Sequence, residues 1–287
     1  MKRLLVVCWH NVEPSWAFPG RPGAGLRGLE RQLRVIAAAG EVVSLRDGLD
    51  ALAGDGPLSQ RAVALTFDDG YRDNLELAVP LLERLGLPAT FFLVPGLLSG
   101  TVEPWWETLY WAFARRTREP VDGAAVDRIA ESLKRQPAEA RDAAVDEVVR
   151  QLAPSGSWSE RTGFIDWDGA RRLVAAGFSV GSHTLTHPIL ARESPEAQQR
   201  ELAESRRELE QRLGITVDVV AFPNGRPQDF TTDTLATARA CGYRYGLTTI
   251  ERWNGPATGP YEIRRFVLAA DEGLRGLRTL RHGTAAR

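Results

Sequence analysis

Short apolar runs alternate with segments of helical periodicity along most of this 287-residue chain. The apolar runs, which predict strands, are residues 4–9, 42–45, 61–67, 89–94, 178–181, 217–222, 243–248 and 263–268. The segments between them end at glycines such as Gly40, Gly86, Gly177 and Gly214, where helices commonly stop. Strands that alternate with helices predict parallel βαβ units, and seven or eight such units predict an α/β barrel.

One stretch, residues 99–161, breaks this alternation. It contains Trp105, Trp106 and Trp111 together with charged helical repeats, and it has no clear strand. We therefore predict a helical insertion at about 99–161 within a single domain that spans residues 1–287. Such an insertion serves either as a lid or substrate wall, or as an extra packing layer or oligomer contact. The sequence leaves this choice and the oligomeric state open.

Composition narrows the class of protein. A hydrophobic content of 43% with 25% charged residues fits a globular protein that buries a large core. The net charge of -1 gives no reason to expect a nucleic-acid partner or an anionic membrane surface. The apolar run at 4–9 is too short for a signal segment or a membrane span. We therefore expect no membrane span and a cytoplasmic protein.

Two strand ends carry the residues best suited to metal binding and proton transfer. Asp68 and Asp69 follow the run 61–67, and His183 and His187 follow the run 178–181, although the chain has only four histidines. The carboxyl ends of parallel strands meet on one face of a barrel, so these side chains should converge. About three such ligands hold a divalent metal with an open position, and the remaining carboxylate can act as a base on metal-bound water.

Two histidines and one carboxylate also fit a non-haem iron oxygenase. The α/β pattern and the second aspartate favour a hydrolase over that alternative. His10 and Asn224 also follow strand runs, so they are further candidates for the same face.

The motifs themselves resemble a known family. Residues 66–70 (TFDDG) and 182–188 (SHTLTHP) are similar to the first two motifs of the polysaccharide deacetylases, the NodB-homology group of carbohydrate esterase family 4. Further segments that resemble this family are residues 8–12 (CWHNV), 87–93 (LPATFFL) and 221–226 (AFPNGR). The resemblance covers about residues 4–98 and 163–268 and implies a deformed (β/α)7–8 barrel.

The resemblance also implies an activity and roles for individual residues. It implies hydrolysis of N-acetyl groups on an amino sugar or glycan precursor by metal-activated water. By position, Asp68 is the general base, and the ligands of a divalent metal, expected to be zinc, are Asp69, His183 and His187.

The turn at residues 223–225 is the candidate for the oxyanion contact. The resemblance implies that the backbone N–H of Asn224 stabilises the oxyanion and that Pro223 shapes the turn.

The sequence departs from the family pattern at two supporting positions. A late Leu-x-His motif that supplies the proton donor is missing, so His10 becomes the candidate acid, with packing or substrate orientation as its alternative role. The arginine that often orients the base is replaced by Ala221, so we expect Arg264 or Arg265 to supply that charge. The acidic fourth motif is also not evident.

Aromatic residues near these motifs are candidates for substrate contact. Trp105, Trp106 and Trp253 suit either sugar stacking or packing, and Tyr71 either lines the pocket or begins a helix. The departures keep two further functions open: an O-acetyl esterase acting on a carbohydrate, and a catalytically weak sugar-binding relative. All three functions predict an N-acetylated or O-acetylated sugar or glycan as the partner.

Overall fold

Eight strands form one curled sheet in the computed structural model, which describes residues 2–18, 25–54, 56–116 and 123–268. The strands are β1 (Leu4–Trp9), β2 (Glu41–Val42), β3 (Ala62–Phe67), β4 (Thr90–Leu93), β5 (Ser179–Ser182), β6 (Val219–Ala221), β7 (Tyr245–Leu247) and β8 (Phe266–Val267). All their pairings are parallel, in the order β7-β6-β5-β4-β3-β1-β8. The short β2 pairs with the first residues of β3.

Helices connect the strands, and several of them cover the outside of the sheet. They are α1 (Leu26–Ala39), α2 (Leu45–Ala53), α3 (Val79–Leu85), α4 (Pro95–Leu98), α5 (Trp105–Ala114), α6 (Gly123–Leu133), α7 (Ala138–Leu152), α8 (Trp167–Ala175), α9 (Pro195–Leu213) and α10 (Thr232–Ala240). A π-helical turn, Asn74–Ala78, leads into α3. No helix among the described residues is both long and apolar enough to span a membrane.

The two ends of the sheet meet through the segment that precedes β8. The N–H of Thr248 donates to the carbonyl of Ile263 (2.7 Å), and the N–H of Ile263 donates to the carbonyl of Gly246 (3.0 Å). This contact replaces regular pairing between β7 and β8. The predicted α/β fold with a deformed barrel is confirmed.

Alternation along the strands decides which side chains enter the barrel. On β3, Val63, Leu65 and Phe67 pack in the outer core with the covering helices, whereas Ala62 and Ala64 belong to the inner core. Every residue of β3 is buried, as expected for a parallel strand covered on both faces. Because side chains alternate with a period of two, the inner face continues toward the residues that follow the strand.

The structure corrects one prediction near residues 42–45. The strand there ends at Val42, and α2 begins at Leu45 because the Ser44 side chain accepts a hydrogen bond from the N–H of Asp47. Leu45 and Leu49 of this unpredicted helix pack into the inner core.

The helices predicted within residues 99–161 are present as α5, α6 and α7. They share an apolar cluster that includes Leu109, Ala130 and Val145, and this cluster continues to Val94 at the end of β4. The inserted helices therefore stand at the carboxyl edge of the sheet, beside the strand ends that carry the motifs.

Gly181 tests how tightly this part of the barrel is packed. A Cβ at Gly181 would lie 2.4 Å from Cε1 of Phe92, whose side chain is fully buried. We expect Gly181→Ala to lower the free energy of unfolding by about 1–3 kcal/mol, because overpacking forces the core to shift. Chemical denaturation measures this, with Gly123→Ala as the control because its Cβ would enter open space. Equal unfolding free energies for the two variants would contradict the packing described here.

Candidate active site

Two carboxylates and two imidazoles meet at the carboxyl edge of the sheet. Asp68 and Asp69 follow β3, and His183 follows β5 directly, with His187 in the same loop. Nε2 of His183 and Nε2 of His187 each lie 3.4 Å from Oδ1 of Asp69. Nε2 of His183 also lies 3.7 Å from Oδ2 of Asp68. Four side chains from two distant segments therefore share one small volume.

The backbone of this region is strained. Four of its non-glycine residues have left-handed conformations: Asp69 (φ 70°), Thr184 (φ 67°), His187 (φ 63°) and Asn224 (φ 62°). Such a conformation costs a non-glycine residue roughly 1–2 kcal/mol. Strain of this kind persists where the surrounding structure holds it and is concentrated at functional sites.

A hydrogen bond from its Nδ1–H orients His183. Nδ1 lies 2.7 Å from the carbonyl oxygen of Ala221, so Nδ1–H donates to that carbonyl. The lone pair of the neutral ring is therefore on Nε2, which faces Asp69. Burial favours the neutral ring, but the nearby carboxylates of Asp68 and Asp69 outweigh it and raise the pKa of His183.

The donor atoms of Asp69, His183 and His187 fit a metal ion. One ligand atom from each lies within 4.8 Å of the others. Oδ1 of Asp69 is buried and has no hydrogen-bond partner, although two imidazole nitrogens are near it. Burial lowers the pKa of His187 to about 3, which keeps its ring neutral and able to coordinate. An unpaired oxygen among two nitrogen donors is the arrangement expected around a divalent cation.

Asp68 has a different environment, because it is paired with a buried arginine. Nη1 of Arg265 lies 2.8 Å from Oδ1 of Asp68, and both side chains are almost fully buried. Nε of Arg265 donates to the carbonyl of Thr248 (3.1 Å), which fixes the guanidinium in place. Burial alone would raise the pKa of Asp68, but the Arg265 charge reverses this and holds the pKa well below its usual range. Asp68 is therefore an oriented, ionised carboxylate.

Glu201 of α9 holds the loop that carries the two histidines. Its carboxylate accepts hydrogen bonds from the N–H of Leu185 (2.9 Å), the N–H of Thr186 (2.8 Å) and the Thr186 hydroxyl (2.7 Å). The Glu201 carboxylate thus satisfies the backbone N–H groups between His183 and His187, in a loop where Thr184 and His187 have left-handed conformations. The sequence does not single out Glu201, because this residue lies in a long charged helix in which its spacing does not distinguish it from the other acidic residues.

The site opens into a cavity of about 410 Å³. Its lining includes the four motif side chains and, around them, His10, Phe18, Trp105, Trp106, Lys134, Phe222, Asn224, Arg226, Thr249, Glu251, Arg265 and Val267. The ring of Trp106 lies 4.6 Å from that of His187. The tryptophans and Lys134 come from α5 and the end of α6, so the insertion forms one wall of the cavity.

Arg226 joins that wall to the opposite side. Its Nη1 lies 2.8 Å from Oε2 of Glu131 on α6. This ion pair connects the insertion to the turn that follows β6.

The turn after β6 presents Asn224 to the cavity. The Asn224 side chain donates to Asp229 (3.0 Å), and its carbonyl accepts from the Thr249 hydroxyl (2.6 Å). Within the described part of the chain, no group accepts a hydrogen bond from the Asn224 N–H. Pro223 is buried before this turn, and Gly225 donates back to its carbonyl (2.7 Å).

The structure places three candidate residues away from the cavity. Tyr71 is 1% exposed, and its hydroxyl donates to Glu107 (2.8 Å), so it supports the wall and does not line the pocket. The backbone of Arg264 is tied to Asn254, and of the two candidate arginines only Arg265 reaches Asp68. Trp253 lies outside the cavity lining, against Arg3.

A comparison with known families agrees with these motifs. The family described as polysaccharide deacetylase matches residues 55–246, which include both carboxylates and both histidines. The chain belongs to the polysaccharide deacetylase family. This family membership confirms the resemblance that the motifs suggest.

The curated relatives that the chain matches are distant and longer. A Bacillus subtilis protein, YxkH, assigned to the polysaccharide deacetylases, is 23% identical over 207 residues, covering 72% of this chain and 51% of that protein. The poly-beta-1,6-N-acetyl-D-glucosamine N-deacetylase of Escherichia coli is 32% identical over 88 residues, covering 30% of this chain and 13% of that enzyme. The chain thus spans about half the length of the first relative and a small part of the second.

Solved structures share the fold over nearly the whole chain. The Streptococcus pyogenes deacetylase PplD has a TM-score of 0.67 at 18% identity, with 98% of each chain covered. IcaB from Ammonifex degensii has a TM-score of 0.64 at 21% identity, with 94% of each chain covered. These likenesses show a common fold.

Glu201→Gln tests the support of the histidine loop. The amide cannot offer two negative oxygens to three donors, so we expect metal affinity to fall about 10–100-fold, as for other groups that orient metal ligands. Titration with a competing chelator measures this affinity. Glu204→Gln, on the same helix but outside the contact, is the control. Metal affinities that are equal in the two variants would contradict a positioning role for Glu201.

Proposed function

We propose that this chain is a metal-dependent hydrolase that removes the N-acetyl group from an amino sugar in a glycan or glycan precursor. One observation carries the proposal: an ionised Asp68, paired with Arg265, lies beside the ligand set Asp69, His183 and His187 in the wall of an open cavity. A base next to a metal site is what hydrolysis of an unactivated amide requires.

Some residues of the site would hold the metal, and Asp68 transfers a proton. A divalent metal, zinc in this proposal, would be held by Asp69, His183 and His187, and it supplies Lewis-acid activation of water and of the acetyl carbonyl. Asp68 accepts a proton from the attacking water, since Arg265 keeps its carboxylate ionised and oriented. The water oxygen bonds to the acetyl carbon, and the C–N bond then breaks to release acetate.

The turn after β6 supports the developing negative charge. The N–H of Asn224 is unpaired within the described residues and borders the cavity, so it is the candidate donor to the carbonyl oxygen. Pro223 and the left-handed Asn224 shape this turn.

The departing amine takes a proton from His10. His10 lines the cavity together with Asp68 and Asp69, and its ring lies 5.4 Å from that of Phe18. The N-terminal strand therefore supplies the acid that the late motif supplies in many family members. His282, the remaining histidine, lies outside the described residues.

The comparisons support an N-acetylated glycan as the substrate to test first. The Escherichia coli relative is named for removal of acetyl groups from poly-beta-1,6-N-acetyl-D-glucosamine, and its similarity to this chain covers 88 residues. The cavity of about 410 Å³ is large enough for one acetylated sugar unit, with aromatic side chains in its wall.

A second candidate is O-acetyl ester hydrolysis on a carbohydrate. Among the described residues, no hydrogen bond orients the imidazole of His10, whose ring lies 5.4 Å from that of Phe18 in a tilted arrangement. An alkoxide leaves with less need for a proton donor than an amine does, so a loosely held acid suits an ester. The third possibility is a catalytically weak sugar-binding relative. One reason for it was the family arginine replaced by Ala221, and Arg265 supplies that charge beside Asp68.

Paired substrates separate these functions. We expect the protein to release acetate from an N-acetylglucosamine oligomer, to stop when a chelator removes the metal, and to recover when zinc is added back. We expect His10→Ala to lower amide cleavage about 100-fold or more, the usual contribution of a general acid, and to affect an O-acetyl ester much less.

Acetate released from both substrates, with and without chelator, is the measurement. Full activity after complete metal removal would contradict the mechanism. Equal losses on the amide and the ester would contradict the role of His10. Cleavage of the ester alone would replace the first function by the second.

A further inference from the structure

His10 lies in a short segment, residues 10–13, that follows β1 directly. Among the described residues, no hydrogen bond between backbone groups involves any of these four positions. The candidate acid is therefore held neither by the ladder of the sheet nor by a turn of its own. A general acid must lie within hydrogen-bond reach of the atom that it protonates, so the place of this segment matters for the chemistry.

The imidazole of His10 depends on the backbone for its position. His10 lines the catalytic cavity together with Asp68 and Asp69, and its ring lies 5.4 Å from that of Phe18. Because no hydrogen bond within the described part of the chain orients this ring, its distance from the base and from the candidate metal ligands is determined by where the backbone of residue 10 is held.

Asp73 holds the far end of the segment. Its Oδ2 accepts hydrogen bonds from the N–H of Val12 (2.8 Å) and from the N–H of Glu13 (2.8 Å). An aspartate at the start of a helical turn usually accepts instead from the N–H groups of that turn. Asp73 precedes the π-helical turn Asn74–Ala78 but makes no such bond to it. Its carboxylate binds a segment 60 residues away in the sequence instead.

Asn74 holds the near end of the segment. Its side chain is buried, and Nδ2 donates to the carbonyl oxygen of His10 (2.7 Å) and to Oδ1 of Asp73 (3.1 Å). Both partners are acceptors, so the amide nitrogen and not the amide oxygen must face them. The two side chains therefore form one unit, the Asp73–Asn74 clamp, which binds the carbonyl of residue 10 and the N–H groups of residues 12 and 13.

The clamp belongs to the loop that also carries the base and a candidate metal ligand. Asp68 and Asp69 follow β3, and the clamp comes soon after them, where the π-helical turn begins. Turns of this kind are rare and are frequently found at functional sites. One short stretch of chain, residues 68–74, thus provides the base, one candidate ligand and the support of the acid, so the three are fixed relative to one another.

We propose that Asp73 and Asn74 are positioning residues for the acid, which hold the backbone of His10 where its imidazole reaches the departing amine. This inference rests on the proposed function, in which His10 gives a proton to that amine. Neither residue of the clamp is among those that line the catalytic cavity, so both act through His10 and not on the substrate. Amide cleavage therefore depends on the clamp, and ester hydrolysis, which needs less help from an acid, depends on it much less.

Asp73→Asn breaks the clamp with a side chain of the same shape. The NH2 group of the new amide faces a donor in either orientation, either Asn74 or the N–H groups of Val12 and Glu13. We expect kcat for acetate release from an N-acetylglucosamine oligomer to fall about 10-fold, because misplacement of a catalytic group by about 1 Å costs up to about 100-fold. We expect the rate on an O-acetylated sugar to change less than about twofold.

Asn74→Ala is the second variant, because it removes the donor to the His10 carbonyl and leaves Asp73 in place. It should give the same split between amide and ester. Glu76→Gln is the matched control, since Glu76 is an exposed acid of the same π-helical turn, and it should leave both rates unchanged. Equal losses on the amide and the ester in both clamp variants would show a general structural role and overturn the inference.

The double variant His10→Ala, Asp73→Asn decides whether the clamp acts through the acid. Two residues that act through one another have effects that do not add. Asp73→Asn should therefore lower amide cleavage no further once His10 is absent. A further loss of about 10-fold in the His10→Ala background would overturn the inference while leaving the proposed function intact.

An NMR measurement on the zinc-loaded protein separates the clamp from the activity. The imidazole signal of His10 is identified by its loss in His10→Ala. We expect this signal to shift in Asp73→Asn and in Asn74→Ala but not in Glu76→Gln, while the other imidazole signals stay in place. A His10 signal that neither clamp variant changes would overturn the inference. A shifted signal in a protein whose wild type releases acetate from neither substrate would support the clamp and overturn the proposed function.

Discussion

The buried ion pair between Asp68 and Arg265 is the interaction on which the site depends. Both side chains are almost fully buried, and the 2.8 Å contact joins the end of β3 to the residue before β8. Removal of one partner from such a pair leaves a charge without compensation and costs about 3–5 kcal/mol. The pair therefore serves both structure and chemistry: it joins two strands of the barrel and keeps one carboxylate ionised beside the candidate metal ligands.

The barrel supplies the geometry that makes this pair possible. Parallel strands bring Asp68, Asp69 and His183 to one edge, and left-handed residues at Asp69 and His187 turn the ligands toward one another. The inserted helices then add a wall with tryptophans. The insertion thus forms one wall of the candidate catalytic cavity, which is the position that a substrate wall, one of the roles left open by the sequence, would require.

The parts of the fold and the site that follow from local sequence pattern could be predicted from the sequence. The strand ends located both aspartates and both histidines, because a strand end is visible as an apolar run that stops. The sequence could not decide between Arg264 and Arg265. Neighbouring side chains along an extended segment point to opposite faces, and β8, which follows them, has only two residues and is too short to show which face is inward. The roles of Tyr71 and Glu201 depend on partners elsewhere in the sequence, and no spacing rule predicts these contacts. Tyr71 binds Glu107 of the insertion. Glu201 binds the backbone of the histidine loop.

The division of the Asp pair into base and ligand is the central claim, and metal content measured together with acetate release tests it most directly. Asp68 and Asp69 are adjacent in sequence, but only Asp68 pairs with Arg265, and Oδ1 of Asp69 lies 3.4 Å from both imidazoles. We predict that Asp68→Asn retains the metal and loses turnover, whereas Asp69→Asn loses both. Loss of metal in Asp68→Asn with retention in Asp69→Asn, or wild-type turnover in Asp68→Asn, would contradict this division of roles.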